Sequence, residues 1–169
     1  AITMRIVDIF LALPMTLMAV TVVAALGTST TNLIIALTIS MIPPFVRIVR
    51  SAVLQVKGSD YIEAAVAYGS KDMRIILTHV LPNAIGPIIV QATLNLASVL
   101  LSVAALGYIG LGVPLPLASW GVLARDGANK LLTFPYQLLF PALLICITML
   151  CFNLMGDGLR DALDPRMRK

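Results

Sequence analysis

Charge is what this chain has least of. Only 12% of its 169 residues are Asp, Glu, Lys or Arg, about half the share of an ordinary soluble domain. Residues 9–46, 80–124 and 131–155 contain no Asp, Glu, Lys, Arg or His at all. With 59% hydrophobic residues and a mean hydropathy of +0.97, a soluble globular domain is excluded, because about 20 apolar residues already suffice for one bilayer crossing. Cysteine is nearly absent. Cys146 and Cys151 are five apart, about 140° around a helix, so they are read as packed thiols and not as a disulfide. The single histidine and the lack of any His, Cys or carboxylate cluster in the apolar runs leave no metal centre to expect. No GxxxxGK[ST] phosphate loop occurs, so ATP is not bound in that way. No nucleophile, base or ligand constellation suggests an enzyme or a cofactor. No carboxylate or basic residue sits in the middle of an apolar run, which argues against a proton relay and places the energy source elsewhere.

What is present is a set of long apolar runs with turn signals between them. We place four spans at residues 6–26, 33–49, 81–106 and 134–155, the first two separated by "GTSTTN". All should be helices, since unpaired backbone groups cannot face lipid. The expected fold is therefore an all-α polytopic membrane protein, one transmembrane domain over residues 1–169 with an insert at 58–80. The second span is short before Arg47, which with Arg50 can snorkel to the headgroups; Pro43-Pro44 should kink or end its helix. With four alternating spans, Arg5, Arg47, Arg50, Lys57, Lys71, Arg74, Arg160, Arg166, Arg168 and Lys169 fall on one side and only Arg125 and Lys130 on the other. The positive-inside bias makes the first side cytoplasmic, insert and C-terminus included. Topology thus accounts for the net charge of +4, and no nucleic-acid partner is needed. No A-x-A-like cleavage site follows the first run. The chain opens on "AITMRIVDIF" without an initiator Met and is expected to lack an earlier part.

The insert has its own grammar. Asp60 followed by Glu63 has the spacing of a capping box, and Gly69 stands where a C′ glycine would end a helix. That predicts a two-turn helix over residues 61–68, with Glu63 in the first turn where the macrodipole favours negative charge. Ala64, Ala65 and Ala67 keep its surface low. A tidy loop and a docking element both fit these features. Ser70 then starts a second helix leading into the third span.

The stretch from Glu63 to Pro82 resembles the EAA motif of the permease subunits of ATP-binding-cassette importers: Glu63-Ala64-Ala65, three residues, Gly69, nine residues, an aliphatic position, one residue, Leu81-Pro82. His79 departs from the aliphatic position. "MRIVDIFLALP", "GLGVPLPLASWG" and "FNLMGDGLRDALDPRMR" are similar to the matching stretches of the dipeptide, oligopeptide and nickel branch, so the resemblance covers nearly the whole chain. It implies the C-terminal part of a six-span permease in a bacterial plasma membrane. It also implies that Asp60, Tyr61, Glu63, Ala64, Ala65, Gly69 and Pro82 form the coupling element on a cytoplasmic ATPase subunit. Implied partners are those ATPases, a second homologous permease, an extracellular or periplasmic peptide-binding protein and membrane lipid. Implied cargo is peptide, with a nickel chelate as the alternative; an ion-coupled carrier or channel is the alternative from another class.

The third span carries Gln91, Asn95, Ser98 and Ser102, which fall within an arc of about 60° on a helix, with Asn83 near the same edge. Polar side chains in a bilayer face protein or water. Lining a pathway and hydrogen bonding between helices both fit. The outward segment around Trp120 is expected to lie flat at the interface as a short amphipathic element. Gly156 and Gly158 should loosen the exit from the fourth span. Residues 159–163 would then be a separate short helix stopped by Pro165 and marginal without a partner, with Arg160 pairing locally to Asp157 or Asp161.

Overall fold

The computed structural model describes residues 2–163, and among these all regular structure is helical. Helices α1 (Ile2–Leu11) and α2 (Met15–Leu26) are followed by α3 (Thr30–Lys57), α4 (Asp60–Ala67) and α5 (Asp72–Ile75). A π turn at Ile76–Val80 joins α5 to α6 (Leu81–Tyr108); α7 (Trp120–Asn129) and α8 (Tyr136–Leu163) complete the order. The all-α membrane fold is as expected.

Three helical segments are long and apolar enough to cross a membrane: Thr30–Lys57, Asp72–Tyr108 and Tyr136–Leu163. The expected first span is not one straight helix. α1 and α2 meet at 88° across Ala12-Leu13-Pro14, and together they make at most one broken crossing. The cause is Pro14, which has no N–H to give and sits at φ −57°, ψ 132° as the residue before α2, outside helical geometry. α2 alone, at 12 residues, reaches only about 18 Å, short of a hydrocarbon core of about 30 Å.

The other spans run further than expected. α3 continues through Pro43 and Pro44 to Lys57, so the proline pair does not end it. Its bulk is held by neighbours: Pro43 is buried, and both prolines line a cavity of about 260 Å³ with Phe10, Leu11, Leu13, Pro14, Met15, Met18 and Ser40. α8 runs unbroken through Gly156 and Gly158 to Leu163. Its 28 residues span about 42 Å, so roughly its last two turns exceed the hydrocarbon thickness. Residues 159–163 are therefore not a separate helix, because about six preceding turns already supply the nucleus; Pro165 lies outside the described residues. Among the described residues no ion pair joins Arg160 to Asp157 or Asp161, and the pair that does form links Arg47 to Asp8 at 3.0 Å. Those side chains are 60% and 52% exposed, which limits the pair to about 0–1 kcal/mol.

Tight turns set the antiparallel order. Between α2 and α3 the Ser29 hydroxyl accepts from the Asn32 N–H at 3.0 Å, while the Asn32 amide donates to the carbonyls of Leu26 and Gly27 at 2.7 and 3.0 Å. One serine and one asparagine thus cap both helix ends. At this end Ala19, Val23, Leu33, Ala36 and Leu37 pack with Leu106 of α6. At the other end α8 returns to α6, where a Cβ on Gly86 would sit 3.9 Å from that of Leu163.

α7 is not a loose surface segment. Its buried face is Gly121, Ala124 and Gly127, three apart, and backbone approaches backbone there. A Cβ on Gly121 would collide with the Ala104 carbonyl oxygen of α6, and one on Gly127 would lie 2.5 Å from backbone atoms of Gln137 and Leu138 at the start of α8. Trp120 opens α7 half-buried and lines a cavity together with Leu100, Val103 and Ala104 of α6. Without a strong hydrophobic drive between helices in lipid, such close contact is what joins them. Gly121→Val and Gly127→Val should therefore destabilise the protein by about 1–3 kcal/mol or more through overpacking, read as a lower melting temperature in detergent. Gly158→Ala, which meets nothing within 4 Å, should be neutral or gain up to about 1 kcal/mol of helix propensity.

Candidate functional site: the insert and the polar face of α6

The insert is held to the bundle by one small cluster. Ile62 of α4, Ile75 of α5 and Val80 are all buried together, with Val53 and Val56 of α3 and Ala65 packed around them. α4 presents only this side inward. Tyr61, Glu63, Ala64, Val66 and Ala67 are exposed, and Tyr68 is 90% exposed. A two-turn helix is marginal by itself, so the Ile62 anchor fixes it in place.

The ends of α4 differ in how well the sequence foretold them. Gly69 has φ +74°, its N–H bonds to the Val66 carbonyl at 2.9 Å and the Ser70 N–H to the Ala65 carbonyl at 3.2 Å. That is a Schellman stop, with glycine at the left-handed position. The capping box is not formed. Ser59, not Asp60, occupies the N-cap, with no side-chain bond to the helix, and its hydroxyl donates backward to the Val56 carbonyl. Asp60 and Glu63 instead both lie in the first turn, where their charge favours the helix through its dipole. The helix is Asp60–Ala67, one residue earlier than expected.

Pro82 follows the π turn directly. The ladder there slips by one residue, so that the Leu81 N–H bonds to the Ile76 carbonyl. A proline at position 82 gives no N–H to Thr78 and would crowd that carbonyl in a regular helix; the wider turn relieves both. Asn83 then donates to the His79 carbonyl at 2.6 Å. Its amide is thus used locally, apart from the stripe.

The remaining stripe residues do not share one environment. Ser98 is exposed, Gln91 and Asn95 are half-buried, and Ser102 is buried with its hydroxyl bonded to the Ser98 carbonyl at 2.9 Å. The side-chain nitrogen of Asn95 is buried without a hydrogen-bond partner. Leu94, one position away, packs on Gly156 of α8. The stripe therefore follows the edge of the α6–α8 contact. The Asp8–Arg47 pair, the elbow at Pro14 and the backbone contacts of α7 were not anticipated. Pro14 itself was the available signal for the elbow.

Comparison with known proteins agrees with this architecture. The chain is 48% identical over 168 residues to the oligopeptide transport system permease protein OppC of Bacillus subtilis (strain 168), covering 99% of this chain and 55% of that protein. It is 47% identical over 164 residues to the dipeptide transport system permease protein DppC of Alkalihalophilus pseudofirmus, with 97% and 54% covered. It is 42% identical over 166 residues to the glutathione transport system permease protein GsiD of Escherichia coli O1:K1 / APEC, with 98% and 55% covered. The chain thus spans about half the length of these curated relatives. Residues 1–169 match one family along their whole length, and the chain belongs to the binding-protein-dependent transport system inner membrane components.

Proposed function

We propose that this chain is the membrane-embedded part of a permease subunit that imports short peptides, powered by ATPase subunits that dock on α4. The observation that carries this reading is α4 itself. It is a short helix pinned by Ile62, stopped by a left-handed Gly69, and otherwise exposed with Tyr61, Val66 and Tyr68 outward. A rigid knob of this kind suits a groove on another protein. Asp60, Glu63 and Ala64 shape its surface, Ala65 turns inward to the Ile62 cluster, and Pro82 sets the π turn through which it joins α6.

The α4 end of the bundle also collects Arg47, Arg50, Lys57, Lys71, Arg74 and Arg160, which supports a cytoplasmic position for it. A peptide-binding protein would then approach the α7 end from outside. All three relatives above carry names of peptide transport systems, which supports short peptides as cargo. On this reading a second, homologous permease completes the pathway. The subunit itself does no chemistry on this reading; hydrolysis belongs to its partners.

In proteoliposomes holding the full-length protein and its partner subunits, Glu63→Ala and Gly69→Val should lower uptake per ATP hydrolysed while both variants still insert. Gly69→Val should be the more severe, since a left-handed backbone costs a residue with a Cβ about 1–2 kcal/mol. Normal coupled uptake in both would remove α4 from the coupling role. For the pathway, single cysteines at positions 91, 95 and 98 should react with small water-soluble thiol reagents at rates that change with nucleotide. Cysteines at 94, against Gly156, and 102, buried, should lag; equal rates at all five would reduce the stripe to packing.

A further inference from the structure

Hydroxyl groups in the spans largely look after themselves. Thr21, Thr38, Ser40, Thr93, Ser102 and Thr148 each donate to the carbonyl four residues earlier, as is usual where no water is available. Among the described residues one buried side-chain atom breaks this rule, the amide nitrogen of Asn95. Leaving such a donor unpaired costs about 1–3 kcal/mol. A carboxamide also offers an acceptor beside its donors, the complement of a peptide unit's N–H and C=O. Gln91 supplies a second carboxamide one turn away, also half-buried.

The spacing is informative. Positions 91 and 95 are about 6.0 Å apart along a helix axis. An extended peptide repeats its same-side backbone groups about every 6.4–6.8 Å. A strand lying along α6 could therefore meet both carboxamides in register. Ser102 is already bonded within its helix, and Asn83 is bonded to His79, so neither belongs to this pair.

We infer that Gln91 and Asn95 form a two-rung ladder that holds the cargo by its peptide backbone, indifferent to its side chains, with Asn95 turning its unpaired amide to a cargo carbonyl. The inference rests on the peptide-import reading and on the stripe bordering the path. Backbone recognition explains how one permease face could accept many sequences.

The test is a cycle between variant and cargo in the assembled, reconstituted transporter. Tri-alanine is compared with its analogue in which both amides are replaced by esters, which keeps the shape, removes the N–H donors and weakens the carbonyl acceptors. Asn95→Leu should lower kcat/KM for tri-alanine about three- to tenfold, in line with the loss of one hydrogen bond, and lower it less for the ester analogue, whose carbonyls accept more weakly. Any preference of the delivering receptor cancels in that ratio. Asn95→Gln should retain a measurable part of the discrimination. Asn95→Leu should also raise the melting temperature in detergent, since it removes an unpaired buried donor, so lost transport would not reflect lost folding. An equal loss for both cargoes, or no loss for tri-alanine, would overturn the ladder. Failure of the wild-type transporter to import tri-alanine with ATP would overturn the peptide reading, and the ladder with it.

Discussion

Every backbone N–H and C=O in the hydrocarbon layer must find its partner inside the protein, and the form of this chain follows from where proline makes that impossible. Pro14 lies where two helices meet at 88° and α2 begins afresh. Pro43 and Pro44 deprive the carbonyls of Ile39 and Ser40 of their usual donors, yet α3 continues, because the loss of two bonds is smaller than that of abandoning the 28-residue ladder. Pro82 is accommodated by widening the helix for one turn. The same residue type therefore gives a corner, a tolerated irregularity and a π turn. What differs is the packing on either side: the elbow at Pro14 is exposed, while Pro43 is buried against it.

Where backbone bonding sets the length of the helices, glycine sets how they meet. α6, α7 and α8 approach through Gly107, Gly121, Gly127 and Gly156, and a Cβ at any of them would press on a neighbouring backbone or on Leu94. These contacts leave little room for sliding, so this half of the chain behaves as one packed unit. By contrast α1 touches the rest chiefly through α3 and an exposed ion pair, a weak tie in comparison.

The long apolar helices and the glycine stop of α4 were legible in the sequence because those rest on local chemistry. A long charge-free run marks apolar helix, and Gly69 marks a helix stop because few other residues tolerate its φ of +74°. The failures have the opposite character. Whether Asp60 or Ser59 caps α4 depends on the direction in which the chain leaves α3, and Ser59 spends its hydroxyl on Val56. Whether Gly156 breaks α8 or merely lets Leu94 approach is a property of α6, not of the glycine. The stripe was visible as a periodicity, but its unequal burial, from exposed Ser98 to buried Ser102, depends on which other helices pack beside α6. Pro14 was legible and went unread, because the apolar run on both sides of it satisfied the length of a span.

These two regimes meet between α4 and α6. Ile62 is buried against Ile75 and Val80, and from Asp72 the chain runs to Tyr108 as one segment of 37 residues. If a partner moves α4, the displacement enters that segment at its first turns. It then crosses the π turn, where the hydrogen-bond ladder is already altered and bending costs least. Gln91 lies about three turns beyond, between Gly86 and Leu94, which both meet α8. A tilt absorbed wholly at the π turn would leave the stripe still, while one transmitted past it would rotate Gln91 and Asn95 together, since they share one rigid helix. On the proposed reading, the short, wide turn before Pro82 is where coupling would be kept or lost, and the residues that stiffen it, Asn83 on the His79 carbonyl and Val80 in the Ile62 cluster, would act on transport without touching cargo.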